Sequence, residues 1–256
     1  MSEEIFSLCP HDAVRNLPAW VELELYLRRR AGCPYPAQYY MDFETFYREG
    51  MPRLAAGYLN PLDLLSVVET RGFTALARSP HPEAVVAIAA ADQPKDEAAL
   101  NGATWAIVPR QFASYLGLYI AQQRGLRPGR IVLAESWLQV VRWVAEGRVP
   151  FGLVYKEVYE HLRDVSREGT QVVGEAEVDF AFHGFALTAQ APEALRTACQ
   201  EALLTMHQTP EGRRILTGLG MERWLPITSL EPLREAVARG EAALKALLET
   251  TQDPQA

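Results

Sequence analysis

Short apolar runs of strand length alternate with longer stretches of helical periodicity along most of the chain. Ile5 to Leu8 is such a run, ending at Cys9-Pro-His-Asp12. It predicts a strand and then a loop, with a helix from Pro18 to Ala31 carried by Trp20, Leu23 and Leu27. Gly32-Cys-Pro-Tyr-Pro36 breaks that helix. Tyr39 to Phe43 reads as a strand, Phe43 to Gly50 as a short helix and Leu54 to Leu59 as a strand. Pro61 then opens a helix that Gly72 ends. Phe73 to Arg78 and Ala84 to Ala90 are further strands.

A polar connection from Asp92 to Gly102 separates these from a second series. Its units are Thr104 to Val108 with helix Phe112 to Gly125, Ile131 to Ala134 with Trp137 to Glu146, and Gly152 to Tyr155 with Lys156 to Arg163. Val178 to Leu187 reads as a single return strand. Two helices follow, from Pro192 to His207 and from Thr209 to Gly218, and a last one spans Leu230 to Thr250. Gln252 to Ala256 reads as a frayed end. Alternating strands and helices predict an α/β protein with parallel sheets and ligand sites at the carboxyl ends of strands. The breaks divide it into a first lobe of residues 1–87 and 185–256 and a second lobe of residues 88–184.

Length allows one large domain or two lobes, since 256 residues can provide two cores of about 100 to 150 residues each. The formal net charge of −7, with no basic block beyond Arg28-Arg-Arg30, argues against nucleic acid as a partner. No window approaches the ~20 apolar residues of a membrane span, and the start lacks a basic and apolar leader. As it stands the sequence reads as cytoplasmic, or as periplasmic if a signal peptide has been removed. Cys9, Cys33 and Cys199 are an odd number at irregular spacing, which fits reduced thiols.

Catalytic and phosphate-binding strings of the G-x-S-x-G, H-E-x-x-H, P-loop and G-x-G-x-x-G kinds do not occur. Cys9, His11 and Asp12 lie too close in sequence for a nucleophilic relay, so no enzymatic activity and no cofactor are expected. Cys9 and His11 could hold a soft metal, with His183 on the return strand as a third donor. A buried thiol beside a hydrogen-bonded histidine accounts for the same residues.

The stretch from His183 to Pro226 carries a resemblance. Its strand, Gln190-Ala-Pro-Glu helix start, Thr209-Pro-Glu helix start and Gly218-Leu-Gly…Trp224-Leu-Pro226 ending resemble the phosphonate/phosphate-type solute-binding proteins of ABC transporters. Gly57-Tyr-Leu-Asn-Pro and Glu146-Gly-Arg-Val-Pro-Phe-Gly-Leu-Val are similar to that family's first-lobe turn and second-lobe strand, with Pro150 where aspartate is common. Cys9-Pro-His-Asp resembles its leu-pro-met-tyr-asp opening. At the second-lobe helix start, Val108-Pro-Arg-Gln-Phe-Ala-Ser replaces the family's ser-thr-ser-gly turn.

The resemblance implies a two-lobed type II periplasmic-binding-protein-like fold with two crossing strands, closing on a small anionic ligand. It also implies delivery to an ABC-transporter permease, or sensing through a regulator. The implied pocket is lined by Cys9, His11, Tyr58, Asn60, Arg110, Gln111, Ser114, Trp137 and His183. A guanidinium at Arg110 could grip an oxyanion bidentately or lie in solvent. Tyr58 and Asn60 serve either the cleft or the turn, and Trp137 either walls the pocket or packs as core. A cytoplasmic enzyme or sensor on the same fold is the other class that the residues allow.

Overall fold

Proline at the first helical position gives up an N–H that would go unpaired there anyway, and Pro10 uses this to start a helix early. In the computed structural model, which describes residues 3–93 and 96–251, strand β1 (Ile5–Leu8) runs almost directly into helix α1 (Pro10–Ala31). The loop expected at Cys9–Asp12 is therefore the helix's first turn. Asn16 breaks α1 with a non-helical φ of −155° and ψ of 64°. Two residues later Pro18 has no N–H to offer the preceding turn, so the helix restarts there. The restarted part is the helix expected from Pro18 to Ala31.

The order continues with α2 (Phe43–Thr45), β2 (Leu54–Leu59), α3 (Pro61–Arg71), β3 (Thr74–Arg78) and β4 (Glu83–Ala90). Next come β5 (Thr104–Ile107), α4 (Phe112–Gln123), β6 (Arg130–Leu133), α5 (Trp137–Ala145) and β7 (Phe151–Tyr155). The chain then forms α6 (Lys156–His161), α7 (Asp164–Arg167), β8 (Thr170–Val178) and β9 (Gly184–Leu187). It ends with α8 (Glu193–Leu204), α9 (Pro210–Gly218) and α10 (Glu231–Thr251). The expected frayed end, Gln252 to Ala256, lies outside the described residues, as do Pro94 and Lys95 of the polar connection.

Contacts divide the chain into two units. Unit 1 holds the residues up to Pro82 together with Phe180–Leu230; unit 2 holds Glu83–Asp179 and the chain from Glu231 on. Besides the two passages at the ends of the central segment, a third, after Leu230, takes the last helix into unit 2. Sequence order placed that helix with the first lobe. Packing decides otherwise, because α10 lies against α4 so closely that a Cβ on Gly240 would stand 2.2 Å from the Tyr115 carbonyl oxygen.

Unit 1 is built on a sheet of order β1-β2-β9-β3, in which β1 and β2 are parallel and β9 runs antiparallel to both its neighbours. Both faces are covered: Phe6, Leu8, Ala56 and Tyr58 pack in one apolar cluster with α1, α8 and α9 side chains, and Ile5, Leu54 and Leu59 in another with Leu64 and Val67 of α3. Such double burial explains why β1 and β2 read as unbroken apolar runs. Unit 2 is built on a sheet of order β6-β5-β7-β4-β8, parallel from β6 to β7 and antiparallel from β7 to β8.

The sheets are thus mixed, where alternation of strands and helices predicted parallel ones. The expected return strand is also two: β8 pairs with β4 in unit 2, the chain turns at Asp179–His183, and β9 enters unit 1. β8 escaped notice because it is an edge strand whose Gln171, Glu175 and Glu177 hide its apolar positions. Tyr39–Phe43 is no strand; Tyr40 buries its ring against Phe46, and Asp42 caps α2 by accepting from the Thr45 N–H at 2.7 Å.

Candidate functional site

Parallel pairing of β1 and β2 sets their carboxyl ends side by side, and the Cys9 N–H donates to the Tyr58 carbonyl at 2.8 Å. Cys9 is the N-cap of α1, so Asp12, three positions on, falls on the same side of the helix start. β9 pairs with β2 through Leu59 and Gly184, which brings His183 to the same end of the sheet. The His183 Nε2 lies 3.6 Å from Asp12 Oδ2, and the ring also hydrogen-bonds the Cys9 thiol. Ligand-type atoms of Cys9, Asp12 and His183 all lie within 4.8 Å of one another.

Aromatic rings hold this group in place. The Tyr58 ring stacks on His183 with centroids 5.4 Å apart, and is itself packed against Trp20 at 4.5 Å and edge-on to Trp224 at 5.6 Å. Asn60 caps α3: its Oδ1 accepts from the Asp63 N–H at 3.0 Å and its Nδ2 donates to Asp63 Oδ2 at 2.6 Å. The Tyr47 hydroxyl donates to the same carboxylate oxygen at 3.3 Å.

Burial dominates the electrostatics of this end of unit 1. It pushes the Cys9 thiol up, against the opposing effect of its His183 hydrogen bond. It also pushes the Asp63 carboxyl up to about 6, against the hydrogen bonds from Asn60 and Tyr47 and the nearby His183. Desolvation, together with the Asp63 charge, raises the Tyr47 phenol as well. Asp12 Oδ2 is buried and accepts no hydrogen bond from the described residues.

The sequence pointed to Cys9 with His11 as the metal-binding pair. The fold instead joins Cys9 to Asp12 and His183, because successive residues at a helix start point about 100° apart whereas residues three apart share a face. His11 is half-buried and supplies its backbone N–H to Cys9. Asp12, Asp63 and Tyr47, which the sequence reading did not single out, join Cys9, His183 and Asn60 at this end of unit 1. Two spacings signal the carboxylates: Cys9 to Asp12 after Pro10, and Asn60 to Asp63 after Pro61, each an N-cap followed by an acid at the third helical position.

In unit 2, α4 starts at the carboxyl end of β5. Arg110 is exposed and takes φ 57°, a left-handed value that among the described non-glycine residues it alone adopts. Gln111 follows at the N-cap position, and its side chain makes no capping hydrogen bond. α5, by contrast, is capped by Ser136, whose Oγ accepts from the Gln139 N–H at 3.2 Å. Ser114, expected in the pocket, is buried, and its hydroxyl donates to the Val108 carbonyl at 2.7 Å. Its proton is thereby committed to fixing the turn between β5 and α4. Trp137 is half-buried against the valine-rich core of unit 2, which supports the core reading of that residue.

The remaining thiols belong to packing. Cys33, just past the end of α1, is hydrogen-bonded to Cys199 of α8, both buried in the unit 1 core.

Two α/β units assembled from discontinuous segments, each with helices starting at the carboxyl ends of its strands, have the two-lobed fold of the type II periplasmic binding proteins. The solved structures agree. A Xanthomonas citri protein bound to chloride ion superposes with a TM-score of 0.70 at 16% identity, covering 96% of this chain and 100% of that one. A binding protein component of an ABC phosphonate transporter from Pseudomonas aeruginosa gives 0.65 at 14% identity, covering 97% and 96%. PhnD1 from Prochlorococcus marinus in complex with methylphosphonate gives 0.65 at 10% identity, covering 92% and 98%. At these identities the likeness is one of fold. No curated protein sequence matches the chain.

Residues 6–231 match the family of periplasmic substrate-binding proteins of phosphonate ABC transporters, and the chain belongs to that family. It is a family of substrate-binding proteins rather than enzymes, which implies a small ligand and a permease partner. No helix among the described residues is long and apolar enough to cross a membrane.

Proposed function

We propose that the chain captures a small anion, a phosphonate- or phosphate-like oxyanion or a small carboxylate, and hands it to a permease or reports it to a regulator. The start of α4 carries this reading. A twelve-residue helix offers the N–H groups of its first turn and the positive end of its dipole. Gln111 places no side-chain cap over them, and Arg110 precedes them in a strained backbone conformation. Strain of this kind persists where a site requires it.

In this reading Arg110 and Gln111 of unit 2 hold the oxyanion. Ser114 and Trp137 support the turn and the core. Thermal unfolding in the presence of phosphate, methylphosphonate, sulfate or acetate tests it. A ligand at a hundred times its Kd stabilises the native state by about 2.7 kcal/mol, a shift that is easily read. If none of these anions raises the melting temperature, the anion reading fails.

A further inference from the structure

We propose that Cys9, Asp12 and His183 form a binding site for a divalent transition metal of the zinc class, with the fourth position open to water. The inference is independent of anion capture by α4, since its three residues all belong to unit 1.

Geometry supports it first. Tetrahedral zinc with sulfur at about 2.3 Å and nitrogen or oxygen at about 2.0–2.2 Å holds its ligand atoms roughly 3.3–3.8 Å apart. His183 Nε2 and Asp12 Oδ2 already stand 3.6 Å apart, and all three candidate atoms lie within 4.8 Å. Small rotations of the half-buried Asp12 and His183 side chains toward the buried Cys9 would close the remaining difference.

Donor chemistry narrows the ion. A thiolate and an imidazole disfavour calcium and magnesium, which take oxygen ligands, while a carboxylate is a poor partner for the soft Cu(I) ion. A thiolate and a carboxylate together supply two negative charges for a doubly charged cation. Binding forms an Sγ–metal bond and releases the Cys9 thiol proton to solvent, while His183 coordinates as the neutral imidazole.

The surroundings are those of a held site. Tyr58 stacked on His183 fixes its ring, and the His11 N–H donates to the Cys9 sulfur, the kind of outer contact that orients metal ligands. Asp12 Oδ2 is a buried acceptor with no hydrogen bond from the described residues. Leaving such an oxygen without a hydrogen bond is unfavourable, and a metal would offset that cost.

The test uses the full chain, stripped with a chelator and titrated with Zn(II) by calorimetry, and with Co(II) by absorption spectroscopy. One equivalent should bind, with a thiolate-to-cobalt charge-transfer band in the near ultraviolet. Asp12→Asn, which keeps the shape of the side chain, and Cys9→Ser should each weaken Zn(II) binding at least about tenfold, and Cys9→Ser should abolish the band. His11→Ala should leave both intact. Melting temperatures of the metal-free variants establish folding, and if Cys9→Ser does not fold, Asp12→Asn alone decides. Binding that ignores Asp12→Asn, binding that His11→Ala removes, or absence of the cobalt band overturns the site.

Discussion

Arg110 is held where a glycine would sit at lower energy, and this ties stability to binding with opposite signs. At φ 57° a side-chain-bearing residue meets a steric cost of about 1–2 kcal/mol, which Arg110→Gly removes. Glycine adds back about 0.4–1 kcal/mol by widening the unfolded ensemble. The net expectation is a gain of roughly 0.5–1 kcal/mol, a rise of about 2 °C in melting temperature for a chain of this size. Arg110→Ala keeps the left-handed cost and should not share the gain. Both variants lose the guanidinium, and with it about 1.5–3 kcal/mol of a charged hydrogen bond to an anion, or roughly 10- to 150-fold in Kd. Thermal unfolding without ligand, followed by calorimetry with whichever anion the wild type binds, reads both quantities. Two results refute the reasoning. A lower melting temperature for Arg110→Gly than for Arg110→Ala would show that the conformation is not strained. Unchanged anion affinity in both would remove Arg110 from the site.

Asn60→Ala removes the cap of α3 and a donor to Asp63, so it should cost about 1–2 kcal/mol in chemical denaturation; no loss would show that water replaces the cap. Asp63, raised to about 6 by burial, contributes stability that is complete below its ordinary value near 4 and is lost as pH rises through 6. At roughly 1.4 kcal/mol per unit, denaturation between pH 3 and 7 should lose about 3 kcal/mol that Asp63→Asn does not lose, and parallel curves for the two proteins would contradict this. Gly240→Ala gains about 1 kcal/mol of helix propensity, but its methyl would meet the Tyr115 backbone. A net destabilisation of about 2 kcal/mol is therefore expected, and an unchanged melting temperature would mean that α10 shifts freely on α4.

Much of the layout was legible because its signals are local. Apolar runs flanked by Pro and Gly marked β1, β2, α3 and the βα series of unit 2, and proline after an N-cap residue marked α3 and α9. What could not be read depends on partners far away in sequence. The last helix belongs to unit 2 through a contact between Gly240 and Tyr115 that no nearby residue announces, and the charged edge strand β8 carries too little apolar periodicity to stand out. The site divides in the same way. Cys9, Tyr58, Asn60 and His183 sit at strand ends that the pattern located. Asp12 joins Cys9 and His183 through helical geometry at a turn read as a loop, and Ser114, expected in the pocket, spends its hydroxyl proton on the very turn that suggested it.

The place of β9 in the unit 1 sheet governs when this protein can fold. β2 and β3 are made early, yet neither pairs with the other; each pairs with β9, whose residues follow the whole central segment of unit 2. Until Gly184–Leu187 leaves the ribosome, the native pairings open to the nascent chain in this sheet are at most those of β1 with β2, and β3 has no strand of its sheet to pair with. Closing so long a loop is entropically slow, and both edges that β9 will fill are apolar and able to pair with other chains. Unit 2 can reach most of its sheet first. Its synthesis thus sets a delay during which unit 1 depends on a holding chaperone or on rapid completion of the chain, and a ribosomal pause that keeps Gly184–Leu187 inside the exit tunnel should raise aggregation more than one that comes after the strand has emerged.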